Sequence, residues 1–277
     1  MSSKTHTTLT HKPSVFAGSL SLSLAMAILL VGMLLPQRVL AQDNTQPPPT
    51  TEQADLPPAS ELFNAYIEAV GGTDAIKSHT NRIMHGIYKN AKTGESQILT
   101  IYAQAPNKLR AEVEIPAIGN SIRATDGTTA WGTNISGTPF ILKGNEKNEF
   151  LDSADYYGEA NYKERYTSIK TTGTAKINQA DSYSVKFTTK AGLKGYVFFD
   201  KKTKLLSARM ILHDDGTPDT LVLVQGYKNF GGLLIPTRQQ QRHGKEIISY
   251  MEYHKIENNV DSMPNFSPPE GLLEASK

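Results

Sequence analysis

Alternation of apolar and polar residues dominates the chain from residue 82 onwards and predicts β-strands. In the segment LRAEVEI (109–115), apolar residues occupy every second position, with Arg or Glu between them. The segment LSARMIL (206–212) repeats the pattern, which predicts one face with Leu206, Ala208, Met210 and Leu212 and the opposite face with Ser207 and Arg209. Short turns rich in Gly, Asn and Asp separate the segments. Because such short connections cannot join parallel strands, they predict an antiparallel meander.

A helical repeat precedes the strands. Ser60 is a typical N-terminal capping residue, and Gly71-Gly72 is a typical helix stop. The apolar residues between them fall on one stripe of a helix: Leu62, Phe63, Tyr66, Ile67 and Val70. The segment TDAIKSH (73–79) predicts a short second helix.

The meander requires a cover, because a sheet of about ten strands curls and leaves a concave apolar face. Only the N-terminal helix and the segment 145–166 can supply that cover. In the second segment, Phe150, Tyr156 and Tyr157 are expected to form a mobile lid. The fold class predicted is mainly β (α+β): a curved antiparallel sheet that forms an incomplete β-barrel, covered by an N-terminal helix and a short helical or loop lid.

Residues 1–41 have the features of a secretory signal peptide. Lys4 and Lys12 precede an apolar run at 22–35, and VLA at 39–41 offers the residues that a signal peptidase reads. This predicts export to the periplasm, with an uncleaved inner-membrane anchor as the alternative. The Pro-rich residues 42–58 predict a disordered linker, which leaves one domain at 59–274.

Net charge and cysteine content exclude further classes. Removal of residues 1–41 takes away Lys4, Lys12 and Arg38 and no acidic residue, so the formal charge changes from +2 to −1. The remaining chain has no basic excess that would indicate a nucleic-acid partner. It contains no cysteine, so a core and not disulfides must hold this exported domain together. A monomer is expected.

The sequence lacks the usual signatures of catalysis and of metal binding. It contains no HExxH, G-x-S-x-G or GxxxxGK motif, and its histidines are scattered singly. The segment HDDGTPD (213–219) is the best candidate for a loop that binds a divalent ion. An ordinary strand-to-strand turn explains that segment more simply. We therefore expect no metal, no cofactor and no catalytic residue.

Five short stretches in a fixed order are similar to the periplasmic outer-membrane lipoprotein carrier family, the LolA-like proteins. They are APNKLRAEVEI (105–115), TDGTTAW (125–131), GTPFIL (137–142), DDGTPDTLVLVQ (214–225) and FSPPEGLLE (266–274). In that family a P-x-x-[LF] strand, an S-D-G-x-x-[LV]-W hairpin and a terminal F-x-x-P-x-G occur in the same order. The chain departs from the family at Ala105, where the lipoprotein carriers have an arginine linked to the lid, and it therefore resembles a divergent member.

The resemblance implies an incomplete barrel whose hydrophobic cavity takes acyl chains, and hence a non-catalytic carrier that makes transient membrane contact. On that basis the residues expected to line the cavity are Leu109, Val113, Ile115, Ile122, Trp131, Phe198, Met210, Leu212 and Leu223. The pattern does not decide which residues of YVFF (196–199) and of LVLV (221–224) face inwards, because both segments are apolar on both faces. Trp131 could also be a core anchor packed on the helix.

Two other functions remain open at this point. The same half-barrel could recognise an envelope protein through an exposed strand edge and act as an interaction or sensor module. An enzyme would need ionisable groups that converge in a pocket, for example Asp214 with His213 or His254.

Overall fold

A computed structural model describes residues 56–116, 119–134 and 136–272. The predicted signal peptide and all but the last three residues of the predicted linker lie outside this part of the chain. None of the helices that the described residues form is long and apolar enough to span a bilayer.

Thirteen strands form a single antiparallel sheet, three more than the sequence predicted, and the sheet does not close into a barrel. Its order is β6-β5-β4-β3-β2-β1-β13-β12-β11-β10-β9-β8-β7. Adjacent strands are consecutive in sequence except at the β1–β13 junction, and β6 and β7 form the two edges of the sheet. The predicted fold class is confirmed. The strands are β1 Asn81–Asn90, β2 Ser96–Gln104, β3 Lys108–Ile115, β4 Gly119–Thr125, β5 Ala130–Thr133, β6 Pro139–Ile141, β7 Tyr166–Ile177, β8 Ala180–Thr189, β9 Lys194–Asp200, β10 Leu206–Leu212, β11 Pro218–Phe230, β12 Leu233–His243 and β13 Glu246–Asn258.

Within the described residues, four short helices accompany the sheet. They are α1 Ala59–Ala69, α2 Gly72–Lys77, α3 Gly144–Ser153 and α4 Tyr162–Arg165, with a 3-10 turn at Gly158–Asn161. The predicted helical segments are confirmed, but α1 begins one residue before Ser60, and Pro58 takes the capping position without a side-chain bond. Gly71 ends α1 with a φ of 132°, and a Cβ there would lie 2.5 Å from the carbonyl oxygen of Gly232. Only glycine therefore fits at this contact between α1 and β12.

The inner face of the sheet carries the main hydrophobic cluster. Strand register places Leu109, Ala111 and Val113 opposite Thr125, Arg123 and Ser121, so these side chains share that face. The buried stripe of α1 packs against the same cluster, which includes Phe63, Tyr66, Phe187 and Phe199. Aromatic side chains of α1 and of the segment after β6 thus occupy the concave side of the sheet.

The outer face of β9–β11 carries a second, smaller cluster of Phe198, Ala208 and Leu223, with Met210 packed against it. A β-bulge between Leu206 and Ala208 explains why these residues do not follow Leu206 into the interior. The extra residue reverses the alternation, so Arg209 and Ile211 face inwards and Ala208 and Met210 face outwards. The prediction that Ala208 and Met210 share a face with Leu206 is therefore wrong, although they do lie opposite Arg209 as predicted.

Trp131 lies on the outer face under the C-terminal segment, and not on the helix. It pairs with Ala124, whose register partner is Arg110. The Trp131 ring is 3% exposed, and its Nε1 donates a 2.9 Å hydrogen bond to the carbonyl oxygen of Phe266. Arg110 lies over the ring and donates to the carbonyl oxygen of Asn265. The last described segment of the chain thus closes the outer face at β3–β5.

Substitution Phe266→Ala should expose Trp131, because Phe266 is buried in the segment that covers it. Trp131 is the only tryptophan, so its fluorescence reports this site alone. We expect a red-shifted native emission and a loss of about 3–5 kcal/mol of unfolding free energy. The control Phe198→Ala, in the second cluster, should lose stability without the spectral shift. Identical native emission in Phe266→Ala and wild type would contradict this packing.

Candidate functional site

Residues 144–165, here named the cover, connect β6 to β7 and pack on the inner face. Phe150, Tyr156 and Tyr162 are buried in the main cluster, and Tyr157 packs against it. The Tyr162 ring stacks on Phe63 of α1 with 4.7 Å between ring centroids. The residues predicted as a lid therefore lie over the sheet, with their side chains inserted into the core.

Four charged side chains anchor the cover to the sheet. Asp152 Oδ2 lies 2.6 Å from Arg165 Nη2 and 3.0 Å from Arg209 Nη2. Glu159 Oε1 lies 3.4 Å from Arg165 Nη1 and 3.5 Å from Arg209 Nε. None of the four side chains is more than 6% exposed. Arg209 belongs to β10 and the other three residues to the cover, so this ion cluster joins cover and sheet with balanced charge.

The ion cluster shifts the pKa of Asp152 and of Arg165. Burial alone would raise the pKa of Asp152, but the adjacent Arg165 and Arg209 outweigh it and lower that pKa below its usual value. Burial would also lower the pKa of Arg165, which the carboxylates of Asp152 and Glu159 and the Tyr166 hydroxyl instead raise. The two shortest ion pairs of the cluster therefore require the ionised carboxylate of Asp152.

A cleft opens where the cover meets α1, α2 and the start of β12. It is here named the cover cleft, and its volume is about 60 Å³. The walls are mainly apolar and aromatic, with one cation. The lining residues are Tyr66, Val70, Ile76, Arg82, Tyr156, Tyr157, Ala160, Leu233, Leu234, Ile235 and Pro236.

Arg82 is the charged group of the cover cleft. It lies on β1, 9% exposed, with its guanidinium 4.4 Å from the centroid of the Tyr156 ring. Its Nε donates a 3.1 Å hydrogen bond to the Tyr156 hydroxyl. Among the residues that the structure describes, no Asp or Glu forms an ion pair with Arg82. The cleft thus combines an apolar wall with a cation that lacks an acidic partner.

Three of the nine predicted cavity residues lie on the inner face. Leu109 and Val113 are 0% and 3% exposed within the main cluster, and Ile115 is half-buried against it. They pack in the core and do not line the cover cleft. A charged substitution at Val113 would therefore test core stability rather than ligand binding.

The other predicted residues have different surroundings. Ile122 and Trp131 lie on the outer face by strand register, because they pair with Glu112 and Ala124. Phe198, Met210 and Leu223 belong to the second cluster on the outer face. Leu212 lines a polar cleft beside α3 at the end of β10. Of all the residues predicted for cavity and lid, Tyr156 and Tyr157 are the two that line the cover cleft.

The cavity residues predicted from the sequence do not include the cleft residues of α2, β1 and β12. The stretch GGLLIP (231–236) carries a usable signal, because four apolar residues follow a glycine turn without alternation. The Gly71–Gly232 contact and a 2.9 Å hydrogen bond from Leu234 N to the Val70 carbonyl oxygen hold this stretch against the end of α1. No local pattern identifies Arg82 as a cleft residue.

No protein-family model and no curated protein matches the sequence. Solved structures do resemble the fold. A DUF1329 family protein from Desulfovibrio piger superposes with a TM-score of 0.56 at 9% identity, over 75% of this chain and 96% of that chain. A LolA superfamily protein from Nitrosomonas europaea superposes with a TM-score of 0.53 at 12% identity, over 76% of this chain and 96% of that chain. An outer membrane lipoprotein-sorting protein domain from Vibrio parahaemolyticus superposes with a TM-score of 0.54 at 10% identity, over 74% of this chain and 95% of that chain. The resemblance to LolA-like proteins is confirmed at the level of the fold.

Substitution Asp152→Asn should destabilise the protein, because it removes the nearer of the two carboxylates that the buried Arg165 and Arg209 share. We expect a loss of about 3–5 kcal/mol in urea-induced unfolding. Asp181→Asn is the matched control, because the Lys176–Asp181 pair is well exposed and should contribute less than about 1 kcal/mol. Equal losses in the two variants would refute the anchoring role of the ion cluster.

The ion cluster also predicts a pH dependence. Folding lowers the pKa of Asp152. The contribution of Asp152 to the free energy of unfolding is therefore complete above its unfolded-state pKa near 3.8, and it is lost as the pH falls through its lower folded-state pKa. Wild-type unfolding free energy should therefore fall on acidification below about pH 4, and Asp152→Asn should fall less steeply. Parallel pH profiles for the two proteins would contradict the assignment.

Proposed function

We propose that the protein binds an amphiphile with an acyl chain and an anionic head group in the cover cleft, and that it carries this ligand in the cell envelope. The observation that carries the proposal is the pairing of an apolar wall with Arg82, a nearly buried cation with no acidic partner among the described residues. Apolar walls with a few placed polar groups are typical of small-molecule sites. A carboxylate or phosphate head group would supply the missing acidic partner.

The fold supports an envelope carrier. The superposed structures include a LolA superfamily protein and an outer membrane lipoprotein-sorting protein domain, as their names state. The features of a signal peptide at residues 1–41 agree with export. Four of the stretches that resemble lipoprotein carriers lie before residue 226. They fall on β3–β6 and on β11 with the turn before it. These strands build the sheet and do not line the cover cleft.

Binding of a long chain requires movement of the cover. A cavity of about 150 Å³ holds a molecule the size of benzene. The cover cleft, at about 60 Å³, has less than half that volume. We propose that Tyr156 and Tyr157 move outwards to admit the chain while the ion cluster keeps the rest of the cover on the sheet. The side chains that fill the closed cleft would then be replaced by the ligand.

The energetics of transfer suit a carrier. Burial of each methylene contributes about 0.8 kcal/mol relative to water, so a sixteen-carbon chain gains up to about 12 kcal/mol before ordering costs. The same chain is already buried in a bilayer, so exchange between membrane and protein is nearly neutral. Opening of the cover would then decide when the ligand loads and leaves.

The filled interior favours a second candidate, an interaction module on the same fold. Ile87 and Ile98 pair across β1 and β2 on the outer face and are 38% and 53% exposed. A protein partner could cover this apolar pair. Such a module would bind its partner without any lipid in the cover cleft.

Leu234→Asp should weaken binding of a fluorescent fatty acid at least tenfold, because it places a carboxylate in the apolar wall of the cover cleft. Leu234 is half-buried, so the domain should still fold. Ile98→Asp, an equal change on the exposed outer face, is the control and should bind as wild type. Equal affinities for the two variants, or no binding by wild type, would exclude the cover cleft as a lipid site.

Arg82→Met should abolish the preference for an anionic head group. Wild type should bind palmitate about 10- to 100-fold more tightly than hexadecanol, because a hydrogen bond to a charged group contributes about 1.5–3 kcal/mol. In Arg82→Met the two ligands should compete equally for the fluorescent probe. Arg238→Gln, an exposed arginine on β12, should keep the wild-type preference. A wild-type protein that does not distinguish the two ligands would contradict the role of Arg82.

A further inference from the structure

Three metal-ligating side chains converge at one end of the sheet, away from the cover cleft. Asp219 Oδ1 lies 3.2 Å from His243 Nδ1 and 3.5 Å from His213 Nε2. The three ligand atoms all lie within 4.8 Å of one another. Each histidine side chain is about half exposed and Asp219 is 17% exposed, so the group is open to ions from solution.

These distances fit a tetrahedral zinc site. Zinc binds histidine nitrogen at about 2.0–2.1 Å and carboxylate oxygen at about 2.0–2.2 Å, so neighbouring ligand atoms in a tetrahedron are about 3.3–3.5 Å apart. Both contacts of Asp219 are within about 0.1 Å of that range. The ligand atoms of the two histidines lie within 4.8 Å of each other, and rotation of these exposed side chains can adjust that distance to the tetrahedral value.

A short turn brings His213 near Asp219, and strand register adds His243 from a later strand. His213 directly follows β10, Asp219 is the second residue of β11, and His243 ends β12. The turn between β10 and β11 is short, and Leu212 pairs with Pro218 across it. Thr220 pairs with His243 in the next hairpin. The ligands therefore come from three adjacent strands whose ends meet at one edge, a relation that no sequence motif displays.

The surroundings leave space for a fourth ligand. A polar cleft of about 120 Å³ adjoins His213 and Asp219 and extends to Asn145 and Asn148 of α3. Asp214 also lines this cleft, and Lys194 is the cation in its lining. Two imidazoles and one carboxylate with an open fourth position are the ligand set of many zinc sites that retain a water.

We infer that His213, Asp219 and His243 bind a divalent transition-metal ion, Zn²⁺ by the chemistry of the ligands. The ion fastens the ends of β10, β11 and β12 to one another beside α3. This proposal differs from the expectation of no metal site, which rested on the isolated positions of the histidines in the sequence. It shares no residue with the cover cleft, so it stands independently of the proposed lipid binding.

The test is a Zn²⁺ titration of the full-length protein without a histidine tag, by calorimetry in a buffer that does not chelate zinc. Wild type should show a Zn²⁺-binding event whose affinity falls more than about 100-fold in Asp219→Asn and in His243→Gln. Loss of a residue that only hydrogen-bonds to a metal ligand already lowers metal affinity about 10- to 100-fold. Saturating Zn²⁺ should also raise the thermal midpoint of wild type and leave both variants unchanged.

His85→Gln is the matched control. His85 Nε2 contacts Glu257 Oε1 at 3.0 Å, but Lys255 occupies the other side of that carboxylate and no second histidine joins them among the described residues. This variant should bind Zn²⁺ as wild type does. Absence of zinc binding in wild type would overturn the inference, and so would binding that both site variants retain. Because His243 is half exposed, His243→Gln remains informative should Asp219→Asn fail to fold.

Discussion

The contact of Asp152 with Arg165 and Arg209 is the interaction on which the arrangement of the molecule depends. A thirteen-stranded sheet that stays open presents an apolar inner face, and that face must be kept from water. The cover does so with Phe150, Tyr156 and Tyr162, yet it includes only two short helices and a 3-10 turn, which have little stability of their own. The buried ion cluster supplies the fixed attachment. Tyr156 and Tyr157 take no part in that cluster: Tyr156 is held by the hydrogen bond from Arg82 to its hydroxyl and by a 3.0 Å backbone hydrogen bond from its N to the Pro106 carbonyl oxygen, and both side chains pack on the core.

That asymmetry gives the proposed function its physical basis. The ion cluster keeps the cover in register with β10, and the cover residues that are held only by hydrogen bonds and packing border the cover cleft. A ligand with an apolar chain and an acidic head could replace the aromatic side chains and the solvent around Arg82 without disturbing the ion cluster. Separation of a stable anchor from a movable edge is a common arrangement in proteins that open and close around a ligand.

The sequence predicted the elements better than their faces. Alternation and turn residues identified the meander, the helix with Phe63 and Tyr66, and the covering segment, because each depends on local periodicity. The side on which Met210 lies was not predictable, since one bulged residue after Leu206 reverses the parity of the strand and leaves no clear mark in the sequence. The side of Phe198 was not predictable because its strand is apolar on both faces. Trp131 was misplaced for another reason: its partner, Phe266, is 135 residues away along the chain. Arg82, Leu234 and His243 share this property, because only the packing of distant strands brings them to their neighbours.

The most direct test of the central claim is covalent mapping of a bound lipid. A palmitate analogue with a photoreactive group at the end of its chain would be incubated with the protein, irradiated and located by mass spectrometry of the peptides. The account predicts labelling of residues that line the cover cleft, in the segments 156–160 and 233–236, and protection by unlabelled palmitate. Labelling confined to the outer face, or labelling that unlabelled palmitate does not reduce, would contradict it.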